Sequence, residues 1–274
     1  MRRSHRLGAP VLALGLAAAA ASAEEPVPLR VLVPVFAAEP VPGVNGSSWA
    51  TELWLSNPGR KTVAAYGVSW ECMIPECGFA PAPVEPGRTF RPGLLGAEGG
   101  LRGALLYLGP ENAGDLAFAL RFRDLSRQGS TWGTELPVPR ESAFHEGAFS
   151  LVDVPVVEGF RQTLRIYEID GTPRAASVRV RTFRLDPSRS EPTGGPDELL
   201  GETELPLGFV PVLGGVPPDH PGYAEVTDLS TLAPLGDAER LRLEIEPTTP
   251  GLKLWAFVTV IHNETQHATV ISPQ

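Results

Sequence analysis

The chain has 274 residues, a formal net charge of −9 and 42% hydrophobic residues, of which aromatics make up 7% of the chain. That acidic balance argues against a nucleic-acid partner, which needs a basic face, and 29 glycines with 29 prolines leave little room for long helices. Length favours two units of about 100 to 150 residues, each able to bury a core.

Residues 1–23 read as a cleaved signal peptide. Arg2, Arg3 and Arg6 form a basic start, Val11 to Ala20 an apolar run, and Ala21-Ser22-Ala23 a small-residue cleavage site. The apolar run is too short to span a bilayer, and no later stretch approaches the roughly 20 apolar residues a spanning helix needs. The expected location is therefore secreted or periplasmic, with no transmembrane segment in the mature chain.

After the leader, Leu29 to Phe36 is a β-rich run carrying Pro34, which a sheet edge tolerates. The loop through Pro42-Gly43 and Asn45-Gly46 opens into a clean alternation: Trp49, Thr51, Leu53 and Leu55 on one side, Ala50, Glu52 and Trp54 on the other. Period two marks a strand, and Asn57-Pro58-Gly59 closes it with a turn. Thr62 to Trp70 is a further β-rich run. Cys72 and Cys77, the two cysteines, follow in one loop, and an exported chain in an oxidising compartment joins such a pair as a disulfide. Leu101 to Leu108 alternates weakly, Leu116 to Arg123 cleanly, and Thr131 to Val138 is the last strand before Pro137-Val-Pro-Arg140 breaks the pattern.

The second half starts over. Gly147 to Val154 is a strand, and Gln162 to Gly171 lines up with the Trp54 strand when Leu164 and Ile166 match Leu53 and Leu55. Val178 to Thr182 alternates, Asp186 to Glu198 and the segment around Pro217-Pro218 read as surface excursions, and Leu241 to Ile245, Leu252 to Ile261 and His267 to Ile271 recover the pattern. The strand pair around Pro247 matches the pair around Pro110. Two copies of one β-unit result, in residues 24–142 and 143–274. In order and spacing they resemble the tandem immunoglobulin-like or fibronectin-like β-sandwich modules of secreted, mostly uncharacterised bacterial proteins. The residues carrying the likeness are Pro42-Gly43-Val-Asn-Gly-Ser-Ser-Trp-Ala-Thr-Glu-Leu-Trp-Leu-Ser-Asn57 and Ala256-Phe-Val-Thr-Val-Ile-His-Asn-Glu-Thr. The Cys…Trp…Cys arrangement of antibody domains is missing, since both cysteines share a loop.

No residue set spells out a reaction. Gly46-Ser-Ser-Trp and Gly129-Ser-Thr-Trp-Gly133 lack the spacing of a nucleophile elbow, and Gly96 to Gly103 lacks the Gly-Lys-Ser/Thr of a phosphate loop. Glu244 and Glu246 alternate with Leu243 and Ile245 and read as a solvated face. His262, Glu264 and His267 are the nearest approach to metal ligands, in what reads as a polar turn between strands, so neither a metal nor a cofactor is expected. Trp54, Trp255 and Phe257 are the candidate binding residues, because each ring sits on the face of its strand opposite an apolar row. Such a ring is covered by the other unit or exposed to a glycan or protein. The function expected is a non-catalytic secreted binding or structural module; the alternative is a carbohydrate-binding or hydrolytic accessory protein of the cell envelope.

Overall fold

The structure is a computed structural model that describes residues 28–37, 39–69, 82–94, 101–111, 113–127, 132–186, 196–211 and 217–273. Residues 1–23, Cys72 and Cys77 lie outside the described residues. The fold is all-β, and every helix among the described residues is a single turn of 3 residues. None is long and apolar enough to cross a membrane.

The first half runs β1 (Leu29–Val33), β2 (Val41–Pro42), β3 (Ser48–Ser56), β4 (Val63–Tyr66), β5 (Val68–Ser69), β6 (Ala82–Val84), β7 (Thr89–Phe90), β8 (Gly93–Leu94), β9 (Ala104–Leu108), β10 (Ala117–Asp124) and β11 (Thr134–Leu136). The second runs β12 (Phe149–Pro155), β13 (Phe160–Glu168), β14 (Ser177–Arg184), β15 (Glu198–Pro206), β16 (Gly222–Val226), β17 (Arg240–Pro247), β18 (Leu254–His262) and β19 (Ala268–Ile271). The β1 strand stops at Val33 because Pro34 has no N–H to donate. Sequence pattern missed β15 and β16, whose acidic and glycine residues hide the alternation.

Strand order repeats. The first half forms the sheets β1-β9-β4-β6 and β11-β10-β3-β2, with β7 also on β3; the second forms β12-β17-β14-β15 and β19-β18-β13-β16. Leu53 lies across from Leu120 and Leu164 across from Val258. Pro110 lies in the connection from β9 to β10, while Pro247 is the last residue of β17, just before the connection to β18.

The four large sheets stack as layers. In the first half Leu53, Leu55, Leu120 and Phe122 meet Val31, Val63 and Leu106 between the two sheets; in the second, Leu164, Ile166, Val258 and Val260 meet Leu151, Val180 and Leu243. All 5 residues of β9 are buried, so both its faces are covered. Leu105 and Tyr107 lie on the face that meets the second half: the Leu105 N–H donates to the Asp219 carbonyl at 2.8 Å and the Tyr107 hydroxyl to the Pro218 carbonyl at 2.6 Å. Arg30 and Leu32, their cross-strand partners, share that face. Opposite them stand Tyr167, Trp255 and Phe257 from β13 and β18, joined to the first half's apolar cluster. The β1/β9 and β13/β18 sheets are therefore inner layers, and the β3/β10 and β14/β17 sheets are outer ones.

Polar groups seal the junction. Arg30 grips Glu141 through two nitrogens at 2.9 and 2.7 Å and also bonds Asp170; Lys253 reaches Glu141 at 3.3 Å. The Tyr167 hydroxyl donates to the Pro34 carbonyl. Gly103, at φ +84, has its Cβ position 3.0 Å from the Val33 and Pro34 carbonyl oxygens, and its own carbonyl oxygen lies 3.0 Å from His220 Nδ1. A side chain there would meet backbone, which is why the junction needs glycine.

Candidate functional site

Tertiary structure separates the three aromatic candidates. Trp255 is 4% and Phe257 0% exposed, while Trp54 is 40% exposed. The Tyr167 ring lies 6.1 Å from each of the two rings on β18, parallel to Phe257 and tilted against Trp255, and those two are tilted to one another at 5.4 Å, under the cover of the first half. They form no surface platform with Trp54, because burial against a neighbouring layer recovers the roughly 2 to 3 kcal/mol that a large exposed ring forgoes.

Trp54 belongs to a different surface, the outer face of β3, β10 and β11. Alternation places Ala50, Glu52 and Trp54 there from β3 and Ala117, Ala119, Arg121 and Arg123 from β10, with Trp54 across from Ala119 and Glu52 across from Arg121. Glu135 of β11 lies across from Arg121 on the other side. Trp132, just before β11, joins them and is 66% exposed. Gly133, at φ +91, brings the chain close over β10: its Cβ position lies 2.6 Å from the Phe122 carbonyl oxygen and 2.5 Å from Arg123 Cγ.

Arginines hold both rings. The guanidinium of Arg91 lies 5.6 Å from the Trp54 ring, and those of Arg121 and Arg123 lie 5.7 and 4.7 Å from the Trp132 ring; each such contact at an exposed site contributes about 0.5 to 1 kcal/mol. Glu52 takes Arg123 at 3.1 Å and Arg91 at 3.5 Å. Trp54 is opposite Ala119, and Arg121 and Arg123 follow at roughly 7 and 14 Å along β10. The result is a flat surface with two rings, small alanines beside one of them and guanidinium groups alongside. Such a surface stacks on a flat ligand and hydrogen-bonds its rim.

Sequence pattern found Trp54 but not Trp132, Arg91 or Arg121. Arg121 and Arg123 alternate visibly with Leu120 and Phe122, yet nothing local says that their face is also the face of Trp54. That depends on the pairing of β3 with β10.

The other candidates are spent on structure. His262 Nδ1 accepts the Thr265 N–H at 3.2 Å and its ring packs edge-on against Phe160 at 5.0 Å; among the described residues no group of 3 or more His, Cys, Asp or Glu gathers as metal ligands, and His262, Glu264 and His267 are not brought together as a site. Glu244 and Glu246 both bond Arg181, at 2.7 and 2.8 Å, and hydrogen bonding to Arg181 holds the Glu244 carboxyl below its ordinary range. A general acid requires the opposite shift. Ser47 Oγ donates to the Val44 carbonyl and accepts the Trp49 indole N–H at 2.9 Å, a turn contact. An open groove of about 460 Å³ between β12 and β19 is lined by Val152, Phe160, Val260 and Ile271 with the Asp153–Arg240 ion pair. No protein-family model, no curated protein and no solved structure matches the chain.

Proposed function

We propose that the chain is an exported binding module of two immunoglobulin-like β-sandwich domains, residues 24–142 and 143–274, following a signal peptide in residues 1–23, and that it binds an extracellular glycan on the outer face of β3, β10 and β11. One observation carries the reading: Trp54 and Trp132, at 40% and 66% exposure, stand on the same sheet face and each is capped by arginine. Exposed large rings concentrated on one face mark an interaction surface, and a pyranose presents a flat C–H face to stack on indole. The alternating strand pattern and the repeated strand order support the two-domain reading.

Affinity electrophoresis of the mature protein through gels containing a panel of polysaccharides tests the binding. Trp54→Ala and Trp132→Ala are each expected to abolish retardation with the melting temperature unchanged; retardation that survives both substitutions rejects this face. Export is tested by N-terminal sequencing, which should begin within a few residues of Glu24. The bridge between Cys72 and Cys77 is tested by mass spectrometry of the exported protein, which should find no free thiol before reduction.

A further inference from the structure

We propose that this face selects a polysaccharide carrying carboxylate or sulfate groups and that Arg121 is the specificity-determining residue; the inference rests on the face being the glycan-binding surface. Three observations converge on it.

The first is an unspent guanidinium. Among the described residues Arg91 and Arg123 are ion-paired with Glu52, whereas Arg121 has the Trp132 ring as its contact and no hydrogen bond or ion pair. Its five N–H donors are held in a plane beside an exposed indole, with the geometry that takes a carboxylate or sulfate through two parallel hydrogen bonds.

The second is shape. With Leu53 aligned on Leu164, strand register makes Ala117 and Ala119 the counterparts of Trp255 and Phe257. In the second half that face is filled by rings and buried against protein. In the first half the same positions are exposed alanines beside Trp54, leaving room for a chain to lie on the sheet. This distinguishes the face from a second protein-docking surface of the same kind.

The third is charge. The face carries Arg91, Arg121 and Arg123 against Glu52 and Glu135, a small positive excess on a chain whose net charge is −9. A sparsely charged acidic polysaccharide suits one available guanidinium. A nucleic acid, with a phosphate on every residue, calls for a basic stripe and is repelled by the remainder of the molecule.

The test is isothermal titration of the full mature chain with a largely methyl-esterified oligogalacturonate, a lightly sulfated dextran oligomer, neutral dextran and a single-stranded oligonucleotide, with Arg121→Gln and Arg121→Lys beside the wild type. The expected result is that an acidic saccharide binds more tightly than neutral dextran, with the carboxylated and sulfated probes identifying which anion is preferred. Arg121→Gln should weaken acidic binding by about tenfold or more, as loss of charged hydrogen bonds does, while Arg121→Lys falls between and both variants melt like the wild type. Equal binding of neutral and acidic saccharides, unchanged in Arg121→Gln, overturns the selection and leaves the glycan-binding face standing. Absence of any saccharide binding overturns both readings. Tighter, Arg121-dependent binding of the oligonucleotide replaces the polysaccharide with a nucleic acid.

Discussion

Trp54, Trp255 and Phe257 are chemically alike in the strand pattern and opposite in fate. Trp255 fills a layer junction, so Trp255→Ala leaves a cavity among Tyr167, Phe257 and the β1/β9 sheet. The expected loss is about 3 to 5 kcal/mol, read as a lower melting temperature with ligand retention unchanged. Charged residues at the same junction predict the pH response. Hydrogen bonding to Arg30 holds the Glu141 carboxyl below its ordinary value of 4.5. The ionised form is thus favoured in the fold, and the stability it gives is present above pH 4.5 and lost as pH falls below it. Urea midpoints from pH 7 to 3 should show the gap between wild type and Glu141→Gln closing on the acid side. Tyr107 has the other sign of group shift: burial pushes its hydroxyl from 10.0 up to about 12. The neutral form is favoured in the fold, so this stability is complete below pH 10 and is lost as pH rises from 10 to 12. Tyr107→Phe should flatten that alkaline decline. Buried Glu168, 0% exposed and bonded by the Gly171 N–H at 3.0 Å and Arg174 at 2.8 Å, is shifted upward by burial. Its contribution therefore opposes that of Glu141, falling as pH rises above the ordinary carboxylate value.

At the scale of elements, β18 is apolar on both faces because each has its own core: Leu254, Ala256, Val258 and Val260 enter one and Trp255 and Phe257 the other. A strand between two covered faces reads as a near-continuous apolar run. On β12 the register slips between Leu151 and Val154, with Asp153 at φ 65; this bulge bends an edge strand and brings Val154 in place of Asp153 back to the core face. The turn into β11 carries a further prediction. Gly133→Ala adds a Cβ against the Phe122 carbonyl at an unfavourable positive φ, so the turn must move and Trp132 with it. Ligand retention should drop markedly in the gel assay while Trp54 keeps its setting. Unchanged retention would place Trp132 outside the binding surface.

At the scale of the molecule, the second half uses the sheet of β13 and β18 to cover the first half's sheet of β1 and β9, and the counterpart of β13/β18 in the first half, β3/β10, stays open. The junction buries Leu32, Leu105, Tyr107, Tyr167, Trp255 and Phe257, the composition of a core and not of a loose domain contact. The two halves should therefore unfold in a single calorimetric transition. Residues 24–142 expressed alone should expose the β1/β9 face and associate or melt at lower temperature; two separate transitions in the whole chain, or an independently stable first half, would show that the junction adds little.

Local pattern in the sequence determined the all-β class and the alternation of β3, β10, β13 and β18, because period two and Gly/Pro/Asn turns are properties of neighbouring residues. It also set Trp255 and Phe257 apart as rings that either find a second apolar neighbourhood or stay exposed to a partner. Tertiary structure alone decided what supplied it. Which sheet of each half turns inward, and hence whether a ring is covered or exposed, is set by packing between residues more than 100 positions apart, as in the bond from Tyr167 to Pro34. The gathering of Trp54, Trp132 and Arg121 on one face was likewise settled only by the pairing of β3, β10 and β11, since strand register carries no mark in any single strand.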